Sequence, residues 1–418
     1  MPIPPSQLEA AAETLRTVLR FEHPADTVLS RYFREHRQLG QHDRAFIAES
    51  VFGVLRRKRL LDHLTGDAAP RRLLLAWLAR IAGISGRELH AALTDDEAVW
   101  LNAIRAASPG DLPFAVQAEF PDWLVERLKP QMQESTILEL GRALQQPAPL
   151  DLRVNTLRTN RDTALLQLAA SGIRGEATPY SPIGIRLKNK PALNLHPLFL
   201  DGSVEVQDES SQLLGYLVAP KRNDLVVDFC AGAGGKTLML GAMMQSRGRI
   251  YAFDVSAKRL AQLKPRLKRS GLSNLYPKQI ENENDIRVKR LGGKIDRVLV
   301  DAPCSGLGTL RRNPDLKWRQ SPQTVAELTL KQAAILRAAA RLLKPGGRLV
   351  YATCSLLAEE NQDIVTAFLT EHDKFRLLNC NDIFKQQQID LDTGPNLQLW
   401  PHVHGTDGFF AAVMERMK

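Results

Sequence analysis

Apolar positions in the first third of the chain recur every three or four residues. Leu8, Ala11, Ala12, Leu15 and Leu19 share one helical face, as do Phe46, Ile47, Val51, Phe52 and Leu55. The same spacing predicts a helix over 73–81 and the start of another at 123–128, after Pro121. Residues 1–145 therefore read as almost wholly helical. Near the QPAP stretch at 146–149 the period shifts. Residues 150–155 alternate like a strand, 162–170 form a short helix, and 183–187 and 204–206 look like strands. This predicts a small α/β insert over 146–207.

From 208 onwards short apolar runs alternate with helical stretches. Strands are expected at 225–228, 249–254, 275–280, 296–301 and 347–353, with helices at 210–217, 257–269 and 326–343. Such alternation belongs to βαβ units, so 208–418 is expected to be an α/β, Rossmann-like domain on a parallel sheet. Two late strands, 374–378 and 409–417, complete it. The last is expected to run antiparallel, because only a loop without helical character precedes it.

The first of these strands opens into LVVDFCAGAGGKT, 225–237. This strand, Gly-rich turn and helix place backbone N–H groups and a helix N-terminus where a nucleotide-like ligand binds. A P-loop would need glycine where Cys230 stands. A dinucleotide fingerprint fits Gly232 and Gly234 but meets Thr237 at its third position. S-adenosylmethionine on a related fold is the remaining reading. Asp254, closing the second strand, suits ribose hydroxyls, but an acid there serves NAD equally well, and the turn alone leaves both open.

Two more turns follow strands, DAPCSG at 301–306 and YATCS at 351–355. If these two strands lie side by side, Cys304 and Cys354 face one crevice. Small buried cysteines are the plain alternative, and a cytosolic disulfide is uncommon. Two thiols in one site suit methylation at carbon 5 of a pyrimidine, a poor nucleophile. A thiolate adding to carbon 6 turns the ring into an enamine, which splits one hard step into easier ones. The site must then favour thiolate, since free cysteine titrates near ~8.5. Asp301 could hydrogen-bond ring N3 and the exocyclic amine, if protonated or suitably bridged.

DFCAGAGGKT, DAPCSGLGTLRRNPDLKW, YATCSLLAEEN and the terminal DGFF occur in this order. In them the chain resembles the RNA cytosine-5 methyltransferases of the bacterial B-type and nucleolar NOP2 family, from about Leu150 to the C-terminus. The resemblance implies a class I methyltransferase domain using S-adenosyl-L-methionine. It makes Cys354 the nucleophile and Cys304 the thiol for product release. It implies that Cys230, Ala231, Gly232, Ala233, Gly234, Gly235, Lys236 and Asp254 hold the cofactor. Asp301 would touch both the methionine end and the target base, and Lys236 the substrate or the cofactor carboxylate. Where the family carries Asp after the third strand, this chain has IENENDI at 280–286. Glu281 is the nearest counterpart, with Asn282 and Asp285 as rivals. HDRAFIAESVFGVLRR at 42–57 and PDLKWR at 314–319 make the N-terminal region similar to the NusB-like RNA-binding domain of the bacterial B-type enzyme. That enzyme modifies small-subunit (16S) ribosomal RNA.

Lys and Arg number 56 against 46 Asp and Glu, a net charge of +10, which suits a polyanionic partner such as RNA. Arg56–Arg59 (RRKR) reads as a solvated helix end or as an RNA phosphate contact. Arg311, Arg312, Lys317 and Trp318 follow the PCSG turn and would offer phosphate contacts and stacking beside a single-stranded or flipped cytosine. The basic residues of 258–269 read as a solvated face, and Glu359, Glu360 and Asn361 as the cap of the helix after the TCS turn. The N-terminus lacks the pattern of a signal peptide and no apolar run reaches membrane-span length. A cytoplasmic monomer with no membrane association is expected. The four cysteines form no CxxC and the nine histidines no HxxxH, so no metal is expected. The alternatives are a transfer RNA methyltransferase, a non-catalytic RNA-binding assembly factor and, opposed by Thr237, an NAD dehydrogenase.

Overall fold

The computed structural model describes residues 2–66, 69–107 and 110–418. The chain forms two compact units. One holds the described residues up to Pro147 together with Thr309–Pro322; the other holds Ala148–Gly308 and Gln323–Lys418.

Leu8, Ala11, Ala12, Leu15 and Val18 of the helix Pro5–Val18 are buried against Ile47, Val51, Val54 and Leu55 of the helix Gln41–Arg56, as the spacing predicts. Thr94 caps the helix Asp95–Ala106 in a reciprocal exchange with Glu97. The segment 309–322, expected on the rim of an RNA site, belongs to this helical unit. Arg311 and Lys317 are buried, and the Trp318 indole donates to the Leu55 carbonyl at 3.2 Å. Lys317 Nζ donates to the carbonyls of Glu119 (2.8 Å) and Arg56 (3.0 Å). A buried ammonium is tolerated only with such partners, and burial still pushes its pKa down to about 8. The RRKR run is half-buried and paired. Arg56 donates to the Arg311 carbonyl, Arg57 pairs with Glu119, Lys58 with Asp62 and Arg59 with Asp122.

The second unit carries two sheets. The small one is antiparallel, built from β1 (Leu150–Val154), β2 (Gly175–Ala177), β3 (Gly184–Leu187) and β4 (Val204–Val206) in the order β2-β3-β1-β4. The large one contains β5 (Leu225–Asp228), β6 (Arg249–Asp254), β7 (Leu275–Gln279), β8 (Ile295–Asp301), β9 (Leu343–Thr353), β10 (Phe375–Leu378), β11 (Leu397–Leu399) and β12 (Phe409–Arg416). Its order is β10-β12-β9-β8-β5-β6-β7, with β11 also on β12. β5 to β9 are mutually parallel, whereas β12 runs antiparallel to β9. Successive strand residues enter opposite cores: Val226, Leu299, Val350 and Val413 one, Val227, Val298, Leu349 and Met414 the other. Burial on both faces explains the unbroken apolar runs. β9 starts earlier than the sequence suggests, because a register break after Ile295 absorbs Pro345 and Gly346. Strand order reverses beside β5, the switch point at which open α/β sheets bind ligands.

Candidate active site

The Gly-rich turn stays tied to both neighbours of β5. Phe229 N–H donates to the Leu299 carbonyl (2.9 Å) and Ala231 N–H to that of Phe253 (2.8 Å). Gly232 and Gly234 have φ of 56° and 80°, a region that favours glycine. A Cβ on Gly234 would lie 2.1 Å from Leu263, whereas one on Gly232 would meet nothing within 4 Å. The Gly232 N–H donates to Asp254 Oδ2 at 2.8 Å, and Asp254 Oδ1 accepts from Ser256 N–H at 2.7 Å. Asp254 thus holds the turn as well as facing the ligand space. From the small sheet, Arg153 donates to the Gly235 carbonyl. Arg266 donates to the Ala233 carbonyl at 2.7 Å and, like Arg269, pairs with the buried Glu205. Both belong to the stretch read as a solvated face, and Arg266 braces the turn.

A cavity of about 680 Å³ opens at the carboxyl ends of β5, β6 and β8, within the range of small-molecule sites. Cys230, Ala231, Gly232, Ala233, Gly235, Lys236, Asp254, Glu281, Asp301, Cys304 and Cys354 all line it. Gly234 does not; it packs on Leu263. Among the rivals of Glu281, Asn282 also lines the cavity, while Asp285 caps the short helix Ile286–Lys289 and accepts from Glu281 N–H.

Asp228, at the end of β5, is buried. Burial lifts its pKa to about 7, against the Thr237 hydroxyl that donates to Oδ2 at 2.6 Å. Among the described residues its Oδ1 is buried without a hydrogen-bond partner. Burial also pushes the Cys230 thiol up. Lys236 Nζ lies 2.6 Å from Asp301 Oδ2 and 5.3 Å from the centre of the Phe409 ring. Burial alone would lower the Lys236 ammonium, but the charge and hydrogen bond of Asp301 lift it above its ordinary value. Asp301 Oδ2 thus accepts from the Lys236 ammonium.

The two cysteine turns meet. Cys304 Sγ and Cys354 Sγ are 3.5 Å apart. The hydrogen bond to Cys354, and then burial, raise the Cys304 pKa well above its ordinary value. The Gly308 N–H donates to the Cys354 carbonyl, and the Gly408 N–H to that of Gly308, both at 2.8 Å. Here the DGFF segment closes on the PCSG turn so tightly that a Cβ on Gly308 would lie 2.1 Å from the Gly408 oxygen. Asn361 stands at the N-cap of the helix Gln362–Glu371, as expected, but its side chain makes no capping bond. Glu360 is fully buried and accepts from Ser305 and Ser355, and Asn361 bonds Thr353 and the Ser355 carbonyl. No spacing distinguishes Glu360 from Glu359 in the sequence, and neither Phe409 nor Glu360 was expected at the site. The fourth thiol, Cys380, sits in the core with its pKa pushed up to about 12 by burial. Among the described residues no group of three or more His, Cys, Asp or Glu could hold a metal ion, and no helix is long and apolar enough to cross a membrane.

Residues 215–415 match the family model described as 16S rRNA methyltransferase RsmB/F, and residues 120–194 match a ferredoxin-like domain of RsmF/B-like methyltransferases. A Synechocystis sp. protein named "Probable ribosomal RNA small subunit methyltransferase B" is 34% identical over 96% of this chain and 97% of its own. Among solved structures, PH0851 superposes over 100% of both chains with a TM-score of 0.80 and 26% identity. NSun6 from Pyrococcus horikoshii, solved with SFG, shares the fold over 72% of this chain and 99% of its own, with a TM-score of 0.63 and 22% identity.

Proposed function

The chain belongs to the RsmB/F family of 16S rRNA methyltransferases, and from that premise we propose that it methylates carbon 5 of a cytosine in small-subunit ribosomal RNA. S-adenosyl-L-methionine is the cofactor. Bound in the cavity, it supplies a methyl group activated on a cationic sulfur. The residues present fit it. The turn Cys230–Lys236 leaves open space over Gly232, and Asp254 closes β6 with its carboxylate lining the cavity. Glu281 and Asn282 are assigned to the nucleoside end.

The single observation that carries the reading is the 3.5 Å contact of Cys304 and Cys354 inside the cavity that the Gly-rich turn lines. Cys354, as thiolate, adds to carbon 6 of the target cytosine and makes carbon 5 nucleophilic. After methylation, Cys304 is assigned as the thiolate that takes up the carbon 5 proton; the C–H electron pair restores the ring double bond and the C–S pair leaves with Cys354 as thiolate. Asp301 accepts from the exocyclic amine and the Lys236 ammonium donates to ring N3; uracil presents the reverse pattern at both atoms. The base has to leave any stack to reach this depth, and the net charge of +10 suits a polyanionic substrate. The test is Cys354→Ala, assayed for methyl transfer to 16S RNA and for cofactor binding by equilibrium dialysis. Transfer is expected to vanish with cofactor still bound; turnover near that of the unaltered protein would overturn the assignment.

A further inference from the structure

β8 and β9 are held together by ladder hydrogen bonds only as far as Asp301 and Ala352. The last of them runs from Ala302 N–H to the Ala352 carbonyl. Cys304 and Cys354 both lie beyond it. Besides the Gly308 N–H on the Cys354 carbonyl, one buried carboxylate ties the two turns together. Glu360 Oε1 accepts from the Ser305 N–H at 2.8 Å and from Gln332 Nε2 at 3.0 Å, and Oε2 accepts from the Ser305 and Ser355 hydroxyls. Four donors fill the accepting capacity of a carboxylate. Ser305 directly follows Cys304, and Ser355 directly follows Cys354. The two hydroxyls also touch each other at 3.2 Å. Gln332, on the helix Pro322–Ala340, adds a bond to the Pro303 carbonyl, and the Tyr351 hydroxyl donates to the Glu360 backbone carbonyl, so Glu360 is held at both its side chain and its backbone.

We propose that Glu360 is a positioning residue which, by tying Ser305 to Ser355, sets the separation of the Cys304 and Cys354 sulfurs. It touches neither cavity nor substrate and acts through the two serines. The proposal rests on the reading above for its consequence in catalysis, but not for the geometry. A reacting group displaced by about 1 Å costs on the order of 10²-fold in rate. Without the carboxylate, four buried donors lose their acceptor and the turns separate to find others.

The experiment uses the full-length protein with Glu360→Gln, Glu360→Ala and Ser355→Ala, and two readouts. The first is the rate at which diamide converts the Cys304 and Cys354 thiols to a disulfide, its diazene taking up both hydrogens, followed by mass spectrometry of the Cys304–Cys354 peptide pair. The second is methyl transfer, as kcat and KM for RNA, with cofactor affinity measured alongside. Glutamine keeps one acceptor for Ser305 N–H and Gln332, and its amide can donate to both hydroxyls. It is expected to hold the disulfide rate and kcat within a few-fold of the unaltered protein. Glu360→Ala is expected to slow disulfide formation at least 10-fold and kcat about 10²-fold, with KM for RNA and cofactor affinity nearly unchanged. Ser355→Ala cuts one of the two ties and should fall between, which keeps the test open should Glu360→Ala not fold. Slowed cross-linking with full methyl transfer would support the positioning role and overturn the two-thiol chemistry instead. Cross-linking as fast in Glu360→Ala or Ser355→Ala as in the unaltered protein would overturn the proposal.

Discussion

Asp228→Asn probes the floor of the cavity with a change of a single atom. The folded protein holds the Asp228 proton up to about pH 7, because burial disfavours the carboxylate, whereas the ordinary value is 3.8. Between these pH values the folded state binds more protons than the unfolded one, so stability falls as pH rises. The favourable contribution is complete below about pH 4 and is lost as pH passes through about 7. An interval of about 3 pH units at ~1.4 kcal/mol each amounts to about 4 kcal/mol. Asparagine has no such titration and can still accept from the Thr237 hydroxyl. At pH 5 the two proteins are expected to melt within a few degrees of each other. By pH 8.5 the asparagine variant should lead by roughly 10 °C, taking ~2–4 °C per kcal/mol for a domain of this size. The assay is thermal unfolding from pH 4.5 to 9, read as the difference between the two curves, which cancels groups common to both. Saturating S-adenosylmethionine, a cation in the same cavity, is expected to narrow the gap by favouring the charged carboxylate. A difference curve that stays flat across the range would refute the reasoning.

Cys304→Ala is expected to accumulate a protein–RNA adduct stable on a denaturing gel, since Cys354 still adds to the base while release is blocked; turnover near normal without an adduct would remove that role. Gly308→Ala forces a Cβ to 2.1 Å from the Gly408 oxygen. It should cost about 1–3 kcal/mol in urea unfolding and lower methyl transfer by displacing the Cys354 carbonyl that Gly308 holds. Lys317→Ala leaves the buried carbonyls of Arg56 and Glu119 without their donor, at about 1–3 kcal/mol each. It should lower the melting temperature of the helical unit and leave the salt dependence of RNA binding unchanged; a slope reduced by about one would show a phosphate contact instead.

The order of elements and the chemistry of the two turns are properties of the chain itself. Strand periodicity in 225–301 and the helical spacing of 1–145 follow from which residues avoid water, a local rule. Cys304, Cys354, the Gly-rich turn and Asp254 could be named because they directly follow strands, and the ends of parallel strands converge at one edge of the sheet. The partners of charged side chains are not local. Whether Arg266, Lys317 or Glu360 faces water depends on what a distant segment places beside it: Glu205 sixty-one residues away, the Glu119 carbonyl 198 away, Ser305 fifty-five away. A lone charge in a sequence reads as solvated, because exposure costs nothing and burial without partners costs several kcal/mol. Only the folded arrangement supplies those partners, and it turned apparent surface charge into the bracing of the Gly-rich turn, an anchor of the helical unit and the carboxylate that ties the two cysteine turns.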